Sequence, residues 1–102
     1  MDYTNFKNAC ELYGKKNGYD VKVMYCDLSR YGLEDWFCAS FMVDRFGGDA
    51  CEIAFINGAF RYTSALIGTK YFDRLDECLA LVPADMENEA EVRQGVEMFN
   101  ND

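Results

Sequence analysis

From Ala50 to Leu66 the chain reads ACEIAFINGAFRYTSAL, two runs of alternating apolar and polar residues on either side of Asn57-Gly58. Asn and Gly tolerate positive φ, which suits them to the type I′ turn whose twist matches that of the two strands in a tight hairpin. A two-residue loop also sets the register. Ile56 faces Ala59, Phe55 faces Phe60, Ala54 faces Arg61, Ile53 faces Tyr62 and Cys51 faces Ser64. One side of the hairpin then carries Ile53, Phe55, Phe60 and Tyr62. Burial of each large side chain stabilises by about 1.5–3 kcal/mol, so this side belongs in the core. A slip of one residue would turn it to solvent.

The same patterning organises the rest of the chain. Phe6, Ala9, Cys10 and Tyr13 fall at the spacing of an amphipathic helix from Asp2 to about Lys16. Asp2 can cap it, Lys15 and Lys16 suit its negative end, and Gly14 or Gly18 ends it. Asp20 to Leu28 sets Val21, Val23 and Tyr25 against Lys22, Met24 and Cys26, the alternation of a first strand, and Gly32 supports a turn after it. Trp36 to Arg45 forms a second strand, with Phe37, Ala39, Phe41 and Val43 on one face and Trp36, Cys38, Ser40, Met42 and Asp44 on the other. Large apolar groups on both faces leave two readings open. Either further sequence covers the second face, or Trp36 and Met42 belong to an exposed contact patch, since aromatic residues and methionine are enriched at interfaces. Gly47-Gly48-Asp49 is the turn into the central hairpin.

Beyond the hairpin, Tyr71, Leu75, Cys78 and Val82, with Phe72 and Leu79 beside them, predict a helix from Lys70 to Val82 capped by Thr69 and stopped by Pro83. Asp85 can cap a final helix through Phe99, whose stripe of Met86, Ala90, Val96 and Phe99 is thin and interrupted by Gly95. The expected fold is therefore α+β: one helix, a four-stranded antiparallel sheet around the Asn-Gly hairpin, then two C-terminal helices on the same sheet face. The connections are too short for parallel crossovers.

Composition narrows what such a fold can do. The chain has 102 residues, half of them hydrophobic, and a single proline, which bounds it to one packed domain over 1–102. Its net charge is −8 and it holds no histidine, which argues against a nucleic-acid binder and in favour of a basic partner. The charge is unevenly placed: residues 1–72 carry nine acids and eight bases, whereas residues 73–102 carry nine acids against Arg74 and Arg93. Five cysteines with no C-x-x-C pair read as buried thiols in a reducing cytosol, the alternative being a zinc site that lacks histidine and close cysteine pairs. With no apolar leader and no stretch of membrane length, a cytoplasmic location is expected.

Catalytic chemistry has little to build on. Without histidine the commonest general base is missing, Gly47-Gly48 is no phosphate loop, and no EF-hand pattern accompanies the carboxylates, so neither an enzyme nor a cofactor or metal site is expected. What remains is electrostatic. Carboxylates four residues apart on a helix are about 6 Å apart, near the spacing of successive phosphates on a nucleic-acid strand. Glu87 with Glu91, and Asp73 with Glu77, make two such pairs within the acidic set Asp73, Asp76, Glu77, Asp85, Glu87, Glu89, Glu91 and Glu97. The alternative is a solvated helical surface that aids solubility.

In the order of its elements and in its charge, the chain resembles small phage-encoded anti-CRISPR inhibitors of Cas9, with one strand more and a richer complement of aromatic residues and cysteine. The resemblance implies a stoichiometric inhibitor that binds a basic, nucleic-acid-handling protein such as a Cas effector as a partial nucleic-acid mimic. Its docking surface would be the acidic set, with Trp36 and Met42 as the apolar candidates. Two other readings stand beside it. One is a homo-oligomeric protein that binds a small ligand such as a nucleotide between Trp36, Tyr25, Tyr62 and Tyr71; the other is a structural or assembly protein.

Overall fold

The computed structural model describes residues 1–32, 36–43 and 48–100, and the side chains of all of these except 29, 93 and 96–100. Helix α1 (Tyr3–Asn17) begins as expected, with an Asp2 carboxylate oxygen accepting a hydrogen bond from the Asn5 backbone N–H at 2.8 Å. Lys15 and Lys16 lie in its last turn, and Gly18 ends it. Gly14 is inside the helix and has a different task. A Cβ there would come within 2.2 Å of Val21 Cγ2 and 3.1 Å of the Tyr19 carbonyl, so only glycine lets the end of α1 lie against the strand that follows.

That strand, β1 (Asp20–Cys26), leads through a short 3₁₀ turn (Ser29–Tyr31) towards β2 (Trp36–Met42), and β3 (Asp49–Ile56), β4 (Ala59–Ser64) and β5 (Gly68–Phe72) follow. They form one sheet in the order β1-β2-β3-β4-β5, with every neighbouring pair antiparallel. The central hairpin has the register read from the sequence, from Ile56 opposite Ala59 to Cys51 opposite Ser64. Asn57 and Gly58 take φ values of 52° and 80°, the two positive angles that the turn demands. Of the expected turn Gly47-Gly48-Asp49, Gly47 lies outside the described residues, as do Asp44 and Arg45 at the end of the expected second strand.

The sheet has five strands, not four. Residues 68–72 pair with β4 from Phe60 opposite Phe72 to Ser64 opposite Gly68, so the expected helix from Lys70 is a strand for its first three residues. Its helical stripe loses to the backbone hydrogen bonds that β4 offers along its free edge. A short connection bends the chain back, where the Ile67 N–H donates to Ser64 Oγ at 3.0 Å. Thr69, expected as a helix cap, is therefore a strand residue. What is left of that helix is α2 (Leu75–Leu79), and the final helix α3 (Val82–Asn100) starts earlier than expected. Pro83 does not follow a helix that ends at Val82; it lies in the first turn of α3, where its missing N–H would have no partner in any case.

All three helices lie on one face of the sheet. Phe6 and Cys10 from α1, Leu75 and Cys78 from α2, and Val82 and Met86 from α3 pack with Phe37, Ala39, Phe41, Cys51, Ile53, Phe60 and Tyr62 in one buried cluster. The aromatic members interlock rather than merely coexist. Phe37 contacts Phe6 with centroids 4.9 Å apart and stacks on Phe55 at 5.1 Å, and Phe55 meets Phe60 at 4.9 Å. Tyr62, fully buried, needs an acceptor for its hydroxyl and donates to the carboxylate of Asp85 on α3. Asp85 is thus no N-cap: α3 is already under way, and its side chain ties the helix to β4.

Candidate interaction surfaces

The helical layer presents the acidic set unevenly. Val82, Asp85 and Met86 mark the inward stripe of α3, and Glu87 and Glu91, four residues apart, stand exposed away from it. Asp73, Asp76 and Glu77 are exposed around the start of α2. Asp73 precedes α2, so it does not form the helical pair with Glu77 that the sequence suggested. Asp85, only 2% exposed and bonded to Tyr62, is withdrawn from any docking surface. Glu89 is half-buried, and the Glu97 side chain lies outside the described residues. Among the described residues, Asp76 alone of this set forms an ion pair, with Arg74 at 2.8 Å, and both partners are exposed. The carboxylates of Asp73, Glu77, Glu87 and Glu91 therefore face water without a cationic partner there. A groove of about 410 Å³ runs along α3 between Tyr19, Pro83, Met86 and Ala90, and among the described residues Glu87 is the charged side chain in its wall.

The sheet's other face is a separate surface. Strand alternation puts Met24, Cys26, Trp36, Cys38, Ser40, Met42, Ala54, Arg61 and Tyr71 on it, opposite the residues of the core cluster. Among the described residues, no helix packs against it. The register aligns one row across all five strands: Met24, Cys38, Ala54, Arg61 and Tyr71. Met24 is 44% exposed and Tyr71 67%, whereas Cys38 and Ala54 in the middle of the row are buried. The middle of the face is therefore a floor of small residues already closed to water, between larger side chains at its margins. Trp36 and Met42, half-buried, stand beside that floor on β2. Both readings of these residues, a face covered by further sequence and a contact patch, stay open with this placement. They and the exposed carboxylates of α3, Glu87 and Glu91, nevertheless lie on opposite sides of the sheet and do not form one site.

The aromatic residues considered for a ligand pocket are divided in the same way. Tyr62 and Tyr25 belong to the covered side, where Tyr25 contacts Tyr3 at 5.0 Å, while Trp36 and Tyr71 are on the open side. Sequence reading missed Arg61 and Tyr71 as surface residues. The signal for Arg61 was present in the hairpin register, which put it opposite the core side, but Tyr71 was hidden by its place in an apparent helical stripe.

Four of the thiols are held protonated by burial. Burial pushes Cys10, Cys51 and Cys78 up to about 12 and Cys38 up to about 11, because a thiolate there would lose its hydration. Burial, and then donation to Asp85, likewise raises the Tyr62 hydroxyl above its usual range. Among the described residues, no three cysteine, aspartate or glutamate side chains converge where a metal ion could sit, and no helix is long and apolar enough to cross a membrane.

No family model matches this chain, and no curated protein or solved structure is detectably similar to it.

Proposed function

We propose that this protein is an interaction module that docks on a basic, nucleic-acid-handling protein and blocks its nucleic-acid site as a partial phosphate mimic. The observation that carries this reading is the exposed pair Glu87 and Glu91 on the outward side of α3, with no cationic neighbour among the described residues. Two carboxylates about 6 Å apart can each meet a lysine or arginine that otherwise holds successive phosphates. Asp73, Asp76 and Glu77 extend the negative surface around α2. The groove beside Glu87 suits the same partner, since its apolar wall can receive the aliphatic stem of a basic side chain. A Cas effector, the partner that the anti-CRISPR resemblance implies, is one protein with such a site.

The test is capture from the native host at 50 and 500 mM salt by the wild-type chain and by Glu87→Lys with Glu91→Lys, followed by mass spectrometry. A basic nucleic-acid-binding protein is expected at low salt, at least tenfold depleted at high salt and lost with the double variant. Capture that is indifferent both to salt and to the charge reversal would sink the mimic mechanism.

A further inference from the structure

On the face of β1 and β2 that no described helix covers, two cysteines and a methionine gather beside the tryptophan, and we propose that Met24, Cys26 and Cys38 bind a single cuprous ion. The strand register brings them together. Cys38 on β2 is directly opposite Met24 on β1, and Cys26, two residues further along β1, is opposite Trp36. Met24 and Cys38 are thus a direct cross-strand pair, about 4.5–5.5 Å apart at Cβ, and Cys26 and Cys38 a diagonal pair about 7–8 Å apart. Burial above all, then Glu52 and Cys26, raises the Cys38 thiol to about 11, so the two thiols are within electrostatic reach of each other.

The spacing decides what these sulfurs can do. A disulfide needs an S–S bond of about 2 Å and Cα atoms no more than about 7 Å apart, which a diagonal pair does not meet without moving a strand. A metal–thiolate bond is about 2.3 Å long, so one ion joins two sulfurs that are about 4 Å apart or slightly more, within reach of the same pair.

The donor set decides the metal. Zinc takes four ligands from cysteine, histidine and carboxylate, but the chain has no histidine and, among the described residues, no three cysteine or carboxylate groups converge. Thiolate and thioether sulfurs are soft donors that select Cu(I), an ion satisfied by two or three of them. Met24 supplies the third sulfur and has no proton to displace. Cys26 and Cys38 each lose the S–H proton to water as two Cu–S bonds form, and copper remains Cu(I) throughout. Arg61 favours the Cys38 thiolate while Glu52 and Asp49 oppose it, so the ion itself supplies the charge that stabilises it, as a bound metal does.

Burial sets the route. Cys38 is closed to water, Met24 is exposed and Cys26 is half-buried, so the ion enters over β1 and rests against a dry floor that shields Cu(I) from oxidation. The site is across the sheet from Glu87 and Glu91 and does not rest on the phosphate-mimic reading.

Titration of the reduced full chain with Cu(I) held by the chromophoric chelator bicinchoninate, without oxygen, tests the site. One equivalent is expected to pass to the protein, with the emission of Trp36, the chain's single tryptophan, quenched over the same range. Cys26→Ser should weaken binding at least a hundredfold and Met24→Leu at least tenfold. Both change side chains outside the covered core, and unaltered circular dichroism checks the fold. Zn(II) should bind at least a hundredfold more weakly than Cu(I). A chain that takes no copper from the chelator overturns the proposal. So does uptake that Cys26→Ser leaves unchanged, uptake without any change in Trp36 emission, or zinc bound as tightly as copper.

Discussion

The two faces of the sheet are made by the same five strands, one residue out of phase, yet one is closed by three helices and, among the described residues, no helix packs on the other. On the closed face large side chains meet large side chains: Phe37, Phe41, Ile53, Phe60 and Tyr62 interlock with Phe6, Val82 and Met86. On the open face the central positions are small, Cys38 and Ala54, and bulk stands at the margins in Met24 and Tyr71. Alternation alone therefore does not say which face is the core. The difference lies in how volume is distributed across the strands, because a helix layer needs a broad apolar bed of large side chains to interlock with.

The largest effect expected to sharpen this comparison is alkaline unfolding. Below pH 9 the buried thiols are protonated whether the chain is folded or not, and stability is unaffected by them. Above pH 9 the unfolded chain ionises first, so each of Cys10, Cys38, Cys51 and Cys78 should withdraw up to about 1.4 kcal/mol per pH unit until the folded thiols ionise near 11 or 12. Urea titrations at pH 8, 9 and 10 check this, and a flat profile would mean that the thiols are solvated. Cys38 is the informative member, since it alone of the four lies on the open face. If its labelling by a thiol reagent keeps pace with that of half-buried Cys26, the floor of that face is wetter than its burial implies.

Next is truncation on either face. Phe41→Ala should cost about 3–5 kcal/mol by emptying the closed core, whereas Met24→Ala, measured in dilute solution, should stay within about 1 kcal/mol. Equal costs would erase the distinction between the faces. Gly14→Ala should cost about 1–3 kcal/mol, because the new methyl group meets Val21 and forces α1 away from β1. Tyr62→Phe should cost a similar 1–3 kcal/mol by stranding the buried Asp85 carboxylate, and Tyr62→Phe with Asp85→Leu should recover part of that loss. The smallest effect is reserved for the surface: Glu87→Lys with Glu91→Lys should alter stability by no more than about 0.5 kcal/mol while abolishing capture of a basic partner.

Much of this architecture is legible before folding is considered. The Asn57-Gly58 loop dictates the hairpin register, and from it follow both the core residues of β3 and β4 and the outward position of Arg61. Asp2, the helical stripe of Phe6 and Cys10, and the alternation of β1 and β2 are equally local signals, carried by φ preference, capping chemistry and periodicity within a dozen residues. The C-terminal third is less transparent. Tyr71, Leu75, Cys78 and Val82 share helical spacing, and only the free edge of β4 draws residues 68–72 into a strand. Asp85 reads as one more acidic surface residue until Tyr62 is placed beneath it.

Short-range chemistry in the sequence thus determined α1, the strands β1 to β4 with their antiparallel order, and the acidic balance of the last thirty residues, but not the fifth strand. Only the tertiary structure decided which carboxylates reach solvent, which side of the sheet the helices cover, and that Trp36 and Met42 lie across the sheet from Glu87 and Glu91. Those outcomes depend on contacts between residues far apart in the chain, and no local pattern encodes which partner a free strand edge or a buried hydroxyl will find.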